Sequence, residues 1–307
     1  MSELHRHVED YLTLRRSLGF KLRLHGDVLP QFADYLEAAG AATLTTDHAV
    51  SFAQLPKGVQ PIHWAHRLTM VRGFARYLST IDPATEVPPH DVFCARYQRP
   101  TPYLWEEAEV LSLMEAAGQL EPTLRAITYQ TLFGLLWSTG VRIGEAIGLE
   151  RSDVDLSAGV LTIRQGKGGR SRIVPLEQSA TDALGTYASR RDRLCPEPRS
   201  PAFFVSTVGT TLLPQLVGST FDQIATAIGL RTETKRPRIH DLRHTFAVKV
   251  LVSWYRSDVD AAGRMALLST YLGHVNPVDT YWYLSVSTEL IELVAARLDS
   301  QPRGGER

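Results

Sequence analysis

The sequence is poor in cysteine. Only Cys94 and Cys195 occur among its 307 residues, and they stand far apart in the chain. A disulfide scaffold needs several pairs of cysteines, and a zinc finger needs closely spaced cysteine and histidine ligands, so we expect neither. So little cysteine is typical of a reducing compartment, and we expect a cytoplasmic protein.

Long apolar runs are also missing. The longest, at 131–137 and 250–254, fall far short of the roughly 18 residues that span a bilayer. The N-terminal stretch MSELHRHVEDYLTLRR is charged where a signal peptide requires an apolar core. The sequence therefore predicts no membrane segment and no secretion signal.

The chain also has no net formal charge at neutral pH, because its 33 Lys and Arg residues balance its 33 Asp and Glu residues. DNA-binding domains commonly carry a basic surplus, so this total by itself argues against nucleic acid. The charges are unevenly placed, however: residues 160–175 hold four basic residues and no acid, and residues 231–256 hold seven and two. Both segments would attract a polyanion. Basic loops are also commonly just solvated, so charge alone leaves both interpretations open.

Hydrophobic periodicity predicts helices over most of the chain. Near the N-terminus apolar side chains recur at helical spacing, as at Leu29, Phe32 and Leu36. The pattern stops after residue 82, where a short stretch holds five of the 17 prolines, and proline ends helices. We predict a helical N-terminal domain at 1–82, a Pro-rich linker at 83–102 and a second domain at 103–307.

The second domain contains one predicted β element. The β-prone runs 160–164 and 171–174 flank Gln-Gly-Lys-Gly-Gly-Arg, a glycine-rich connection suited to a hairpin with Lys167 at its tip. Gly140 is placed to cap the helix before it. Helices are predicted at 105–117, 124–137, 177–191, 214–227, 240–254, 258–270 and 287–298. The predicted fold class is mainly α with a small β-sheet.

Two arginines and a histidine are suited to binding phosphate. His240 and Arg243 are three residues apart, which places both on one face of the predicted helix. Arginine presents donors in a fork that fits phosphate oxygens, and histidine exchanges a proton near neutral pH. Arg142, just beyond Gly140, offers a second guanidinium. Each also has an ordinary interpretation, namely a chance helical pair or an ion pair of Arg142 with Glu145.

Four further residues are suited to phosphate chemistry. Lys167 at the hairpin tip could protonate a departing oxygen. His274 precedes Asn276-Pro277, where a helix is predicted to begin. Tyr281 and Tyr283 carry phenols that could serve as nucleophiles. Taken singly, such residues are more often an exposed turn lysine, a loop histidine and packed aromatic side chains.

Taken in chain order, these motifs resemble those of the tyrosine recombinase (phage integrase) family. The set comprises Thr-Gly-Val-Arg142-Ile-Gly-Glu, Gly-Lys167-Gly-Gly-Arg-Ser-Arg-Ile-Val-Pro-Leu, His240-Asp-Leu-Arg243-His-Thr, Leu-Gly-His274 and Tyr283. Tyr283 stands nine residues after His274, the offset of the family's nucleophile, whereas Tyr281 stands seven after it. The N-terminal helices, from Val8-Glu-Asp-Tyr-Leu onward, also look like the family's helical core-binding domain.

The resemblance implies how a phosphate would be held. Arg142 and Arg243 would bind the nonbridging oxygens of the scissile phosphate and neutralise charge that develops in the transition state. Lys167 would protonate the leaving 5′ oxygen.

The resemblance also implies a nucleophile and its helpers. Tyr283 would attack, with Tyr281 as a neighbour packed against the site. His240 would assist proton removal from the nucleophile, and His274 would donate a hydrogen bond to the phosphate. The implied reaction forms a 3′-phosphotyrosyl bond and frees a 5′ hydroxyl, which attacks the partner strand. The covalent intermediate keeps the bond energy, so neither ATP nor a metal ion is required.

The implied partners are duplex DNA and further copies of the chain. DNA with paired recombination sites would be clamped between the two domains. The residues expected to contact it are Arg164, Arg170, Arg172, Lys235, Arg236 and Arg238. The stretch 287–298 carries an apolar stripe, and similar C-terminal helices in the family dock into a neighbouring protomer, so we expect a homotetramer assembled on DNA. The protein would be nucleoid-associated in the cytoplasm, with no membrane partner.

Two other functions fit the same motifs. A noncatalytic DNA-binding or architectural protein would bind in a salt-dependent way without a covalent product. A type IB-like topoisomerase would apply the same chemistry to one duplex.

Two departures from the family pattern, a long segment at 254–264 and the Asn276-Pro277 pair, bear on how Tyr283 is presented. Integration, excision, transposition and dimer resolution all use this chemistry, and the sequence leaves that choice open.

Overall fold

The computed structural model describes residues 2–93, 100–164, 171–257 and 259–300, with side chains up to residue 296. The chain divides into two units, residues 1–100 and 101–307. This division falls inside the stretch 83–102, where the prolines cluster.

The first unit is built from helices α1 (Glu3–Ser17), α2 (Arg23–Ala38), α3 (Thr46–Ala53) and α4 (Pro61–Leu78). Their apolar faces meet in one core. Leu29, Phe32 and Leu36 of α2 are buried there, as their spacing predicts, beside Leu68 and Val71 of α4. Pro61 begins α4, where its missing N–H breaks no helical bond.

The proline-rich stretch that follows α4 packs on this unit as far as residue 93. The buried Arg72 donates from Nε to the carbonyl oxygen of Pro88 (2.8 Å) and from Nη2 to that of Pro89 (2.6 Å). The ring of Phe93 lies 6.1 Å from that of Trp64. A buried guanidinium needs acceptors, and the irregular proline backbone supplies them because its carbonyls are not used in a helix.

The described part of the second unit contains nine α-helices, two short 3₁₀ helices (Arg151–Asp153 and Trp282–Ser285) and three strands. The helices are α5 (Glu107–Gly118), α6 (Thr123–Thr139), α7 (Ile143–Ile147), α8 (Gln178–Leu194), α9 (Pro214–Ala227), α10 (Asp241–Arg256), α11 (Ala261–Leu272), α12 (Val278–Tyr281) and α13 (Thr288–Ser300). The strands are β1 (Val154–Asp155), β2 (Val160–Ile163) and β3 (Arg172–Pro175). The predicted fold class, mainly α with a small β-sheet, is confirmed.

The three strands form an antiparallel sheet in the order β1-β2-β3. Leu161 pairs with Val174, and both are buried, whereas Ile173, the neighbour of Val174 that pairs with Thr162, faces solvent. The predicted pairing of these two runs is therefore confirmed, whereas their connection with Lys167 lies outside the described residues. The strand β1 was not predicted, because two residues are too few to show a period of two.

Two apolar clusters organise the second unit. The larger surrounds α6, whose buried side chains include Leu132, Phe133 and Leu136, and it also contains Leu161 and Val174 of the sheet. The smaller joins α10, α11 and α13 and includes Tyr283. In the part of the chain described, none of the helices is both long enough and apolar enough to cross a membrane.

Candidate active site

Arg142 is positioned by the end of one helix and the start of the next. Gly140 ends α6 in the left-handed conformation (φ 62°), as its sequence position predicted. Arg142 then precedes α7, and its main-chain N–H donates to Oε2 of Glu145 (3.0 Å). Its Nη1 donates to Oε1 of the same carboxylate (2.8 Å). Glu145 therefore caps α7 and fixes the direction of the Arg142 side chain.

Glu145 binds a second guanidinium, that of Arg172. The Arg172 Nη1 and Nη2 donate to Oε1 and Oε2 at 3.0 and 2.7 Å, and the two side chains are only 10% and 7% exposed. Burial alone would raise the pKa of Glu145, but hydrogen bonds from Arg172 and Arg142 outweigh it and lower the pKa to about 2. Sequence reasoning treated Glu145 only as an ordinary partner of Arg142 and missed this shared position.

Three successive carbonyl oxygens at the end of α11 each accept a hydrogen bond from a different arginine. The pairs are Tyr271 with Arg172 (2.7 Å), Leu272 with Arg243 (2.6 Å) and Gly273 with Arg142 (3.0 Å). The last carbonyls of a helix lack hydrogen-bond partners within the helix and form the negative end of its dipole. Cations are therefore stabilised there. This 271–273 turn is what brings the three arginines together.

Gly273 gives the 271–273 turn its shape. It is left-handed (φ 64°), and a Cβ atom built on it would lie 2.8 Å from Nη1 of Arg172. The N–H of Gly273 donates to the carbonyl of Thr270 and that of His274 to the carbonyl of Ser269, the pattern of a Schellman motif. The Leu-Gly-His sequence thus places His274 directly beyond the arginine-binding carbonyls.

Arg243 lies deepest in the site, with 2% of its residue surface exposed. Besides Leu272 it binds the carbonyl oxygen of Gly140, through Nη1 at 2.7 Å. Burial and the nearby charge of Arg142 lower the pKa of Arg243 to about 10. The guanidinium of Arg243 therefore stays charged at neutral pH, and the positive groups of Arg243 and Arg142 are held close together.

Tyr283 is also buried, with 2% exposed. It belongs to a short 3₁₀ segment, Trp282–Ser285, between α12 and α13. Its ring is nearly parallel to that of His274, with centroids 6.1 Å apart, and His274 Nδ1 shares a 2.6 Å hydrogen bond with Oγ1 of Thr280. Tyr281 is 53% exposed, contrary to the expectation of a packed neighbour.

Two histidines of α10 complete the group. His240 directly precedes α10 and has an exposed side chain. Desolvation of the ring by surrounding protein and the charge of Arg243 lower the pKa of His240 to about 4. Solvent at the exposed face of the ring screens part of the electrostatic interaction. His244, one turn further on, packs edge-to-face on His240 at 4.7 Å between ring centroids. Its Nδ1 lies 3.2 Å from the Tyr283 hydroxyl. Sequence reasoning missed His244, although the His directly after Arg243 was visible.

The structure brings five of the six predicted catalytic residues into one region around the 271–273 turn and the first two turns of α10: Arg142, His240, Arg243, His274 and Tyr283. The sixth, Lys167, and the predicted DNA contact Arg170 lie outside the described residues. Within the ranges described, no cluster of three or more His, Cys, Asp or Glu residues could hold a metal ion.

Three of the residues predicted to contact DNA are held by acids. Lys235 donates to Oε1 of Glu109 at 2.7 Å and lies 4.7 Å above the ring of Tyr103, and the Glu109 hydrogen bond raises the pKa of its amine. Arg238 is paired with Asp241 (2.8 Å). Arg164 is paired with the buried Asp153 while most of its own side chain is exposed.

The other two described residues of that set differ sharply. The guanidinium of Arg172 is turned inward onto Glu145, so its donors face protein acceptors. Arg236 is exposed to solvent. Of this pair, Arg236 has the surface position that a phosphate contact requires.

Comparison with known proteins gives a consistent result. The profile of the phage integrase family matches residues 104–289. The protein y4rB of Sinorhizobium fredii is 42% identical over 307 residues, covering 97% of this chain and 98% of its own. The tyrosine recombinase XerD of Mycobacterium tuberculosis is 29% identical over 309 residues, covering 94% of each chain.

A solved structure shares the fold. In the crystal structure of a lambda integrase tetramer bound to a Holliday junction, the matching chain has a TM-score of 0.58 and 18% identity, covering 91% of this chain and 76% of that one. At this level of identity the similarity concerns the fold.

Proposed function

Because the chain belongs to the phage integrase family of tyrosine recombinases, we propose that it cleaves and rejoins duplex DNA through a covalent bond between Tyr283 and a 3′ phosphate. The observation that supports this most is the approach of Arg142, Arg243 and His274 to the 271–273 turn, next to Tyr283. Two guanidiniums and a phenol gathered around one turn suit attack on a phosphodiester.

The arginines bind the scissile phosphate. A guanidinium has five N–H donors, and the protein acceptors named above take two from Arg142 and two from Arg243. The remaining donors of each are available to the nonbridging oxygens. Since these bonds to carbonyls and to Glu145 fix the guanidiniums beforehand, they stabilise the charge of the transition state without reorganising.

Proton transfers accompany the exchange of one ester bond for another. The phosphorus–5′ oxygen bond breaks as the bond to the Tyr283 oxygen forms, and Lys167 protonates the leaving 5′ oxygen. His240 assists removal of the phenolic proton, and His274 donates a hydrogen bond to the phosphate. One phosphodiester replaces another, so the step uses neither ATP nor a metal ion.

Tyr283 must become accessible before it can attack. In this structure the side chain is almost fully enclosed, whereas a bound phosphodiester has to come into contact with its hydroxyl. The short segment Trp282–Ser285, which carries Tyr283, lies between α12 and α13, and its displacement would uncover the hydroxyl. Binding of DNA would therefore expose the nucleophile.

Trapping the covalent intermediate tests the proposal. Nicked suicide DNA carrying the cognate site should yield wild-type protein attached to the 3′ end, also in the presence of EDTA. Tyr283→Phe should yield none, and the matched variant Tyr281→Phe should react like wild type. Equal covalent product from Tyr283→Phe and wild type would overturn the assignment, and product lost on adding EDTA would contradict the metal-free step.

We extend the proposal to assembly on chromosomal DNA. Paired recombination sites would bring four copies together, as in the lambda integrase tetramer on a Holliday junction, with the N-terminal helices at 1–82 and the domain at 103–307 clamping the duplex. In α13, Leu290 is buried against its own unit while Ile291 is 51% exposed. An exposed apolar residue on this helix suits docking with a neighbouring protomer.

Substitution within α13 tests the assembly. Ile291→Asp should reduce cooperative assembly on paired sites in a gel-shift titration while binding to a single site is retained. The adjacent exposed position supplies the control, Glu292→Gln, which should assemble normally. Wild-type cooperativity in Ile291→Asp would contradict a role for this helix.

A further inference from the structure

The phenolic oxygen of Tyr283 has a partner, His244, to which the family resemblance assigned no role. Nδ1 of His244 lies 3.2 Å from the Tyr283 hydroxyl oxygen, within hydrogen-bonding distance. The two rings are tilted by 58°, with centroids 5.6 Å apart. This approach joins α10 to the segment Trp282–Ser285, which are far apart in sequence.

The surroundings of His244 fix its ring. It lies on α10, the helix that also carries the buried Arg243. Its ring packs edge-to-face on His240 on one side (4.7 Å) and on Trp282 on the other (5.3 Å). The helix and these two ring contacts position the imidazole beside the phenol.

We propose that His244 is a further catalytic residue, which accepts the proton of the Tyr283 hydroxyl as the phenolic oxygen attacks phosphorus. This inference rests on the proposed nucleophilic role of Tyr283. The O–H bond of the phenol breaks and an N–H bond forms at Nδ1, giving an imidazolium. Meanwhile the oxygen–phosphorus bond forms and the 5′ oxygen departs with a proton from Lys167. In the rejoining step the attacking 5′ hydroxyl gives its proton to the neutral amine of Lys167, and the imidazolium returns its proton to the departing phenolic oxygen.

In this arrangement His240 acts through His244 rather than on the phenol itself. It packs on His244 and sits in the positive field of Arg243 and Arg142, which disfavours a positive charge on its own ring. A neutral His240 supports the orientation of the His244 ring and takes part in proton removal indirectly. His244 touches the reacting oxygen, and the sequence motif alone pointed to His240.

Two substitutions at position 244 separate proton transfer from simple positioning. In His244→Asn an amide can occupy the place of Nδ1 and keep a hydrogen bond to the phenol, but it is no base at neutral pH. His244→Gln places its amide nearer the position of Nε2. The measurement is the single-turnover rate of covalent attachment to suicide DNA at saturating protein, with DNA affinity and melting temperature recorded for each variant.

We expect both variants to bind DNA like wild type and to cleave it at least about 100-fold more slowly, the usual scale of general acid–base catalysis. Added imidazole should partly restore cleavage in His244→Ala. Near-wild-type cleavage by His244→Asn would overturn the proposal, whether or not His244→Gln is slow, because a hydrogen bond without a base would then suffice. Tyr283→Phe is measured in parallel: residual attachment in that variant refutes the proposed nucleophile itself, which is a different failure.

Discussion

Arg172 and Glu145 form a two-point ion pair in the second unit, with nitrogen–oxygen distances of 3.0 and 2.7 Å. The pair is almost fully buried, and the same carboxylate also receives Arg142. One acid therefore compensates two guanidiniums, each of which also donates to a backbone carbonyl of the 271–273 turn. Removing a partner from such a group leaves an uncompensated buried charge.

Glu145→Gln should destabilise the protein. The amide is nearly isosteric but neutral, so Arg172 and Arg142 lose their counter-charge, and we expect a loss of about 3 kcal/mol in the free energy of unfolding. Urea unfolding of wild type and variant measures this loss in the free energy of unfolding. The control is Glu289→Gln, which weakens the solvent-exposed pair with Arg256 and should cost at most about 1 kcal/mol. Equal losses in the two variants would contradict a special role for the buried pair.

The same carboxylate should make the protein sensitive to acid. The pKa of Glu145 is about 2 in the folded protein against 4.5 in its reference state. A lowered acid pKa stabilises the fold fully above the reference value, and this contribution disappears as pH falls toward 2. The stability difference between wild type and Glu145→Gln should therefore shrink between pH 4.5 and pH 2. A constant difference over that range would show that the charge of Glu145 is not what stabilises the fold.

Gly140→Ala should also destabilise the protein. Gly140 is left-handed, and an added Cβ would lie 2.5 Å from Cδ1 of Phe246, so strain and overpacking together should cost about 2 to 4 kcal/mol. Gly144→Ala is the matched control, because a Cβ at this position in α7 meets nothing within 4 Å. It should leave the melting temperature unchanged or raise it slightly. A melting temperature of Gly140→Ala equal to that of Gly144→Ala would contradict the close approach.

Arg236 and Lys235 should respond differently to alanine. Arg236 is exposed, so if it meets phosphate, Arg236→Ala should weaken DNA binding for all sequences and reduce the salt slope of log K by about one. Lys235 is held by Glu109, so Lys235→Ala should change the slope less and lower the melting temperature more. Fluorescence anisotropy titrations at several salt concentrations measure both slopes. An unchanged slope in Arg236→Ala would remove this residue from the DNA interface.

His240→Gln should make the fold less sensitive to mild acid. The pKa of His240 is lowered from 6.5 to about 4, so the unfolded chain takes up a proton below pH 6.5 before the folded protein does. That difference removes stability from wild type as pH falls from 6.5 toward 4, and the variant lacks it. Melting temperatures of the two proteins should therefore converge, or cross, over this interval. Parallel curves would indicate that His240 titrates normally.

Much of the architecture could be predicted because it depends on local periodicity. The helix predicted at 214–227 is α9 with the same limits, and Gly140 ends α6 as expected. The strands flanking the predicted hairpin pair as anticipated. The short β1 was missed because two residues carry no periodic signal. The helix after Asn276 begins at Val278, one residue later than predicted, and the Asn276 side chain still accepts from the Val278 N–H.

The site was harder to predict because its contacts join distant residues. The sequence spacing put His240 and Arg243 on one face of a helix, yet Arg243 is buried onto Gly140 and Leu272 while the His240 side chain is exposed. Arg172 and Arg236 look equivalent as basic residues, but one is turned inward onto Glu145 and the other lies in solvent. Charge counted along a chain does not reveal whether a side chain meets a carboxylate or water.

The sequence by itself determined the order of the family's motifs, the helical character of the chain and the placement of its glycine caps. These follow from side-chain chemistry and from contacts within a few residues. Only the tertiary structure decided that three arginines share the 271–273 turn and that His244 meets the hydroxyl of Tyr283. Those contacts depend on how α6, α10 and α11 pack, and packing is set by the shape of the whole core rather than by any one segment.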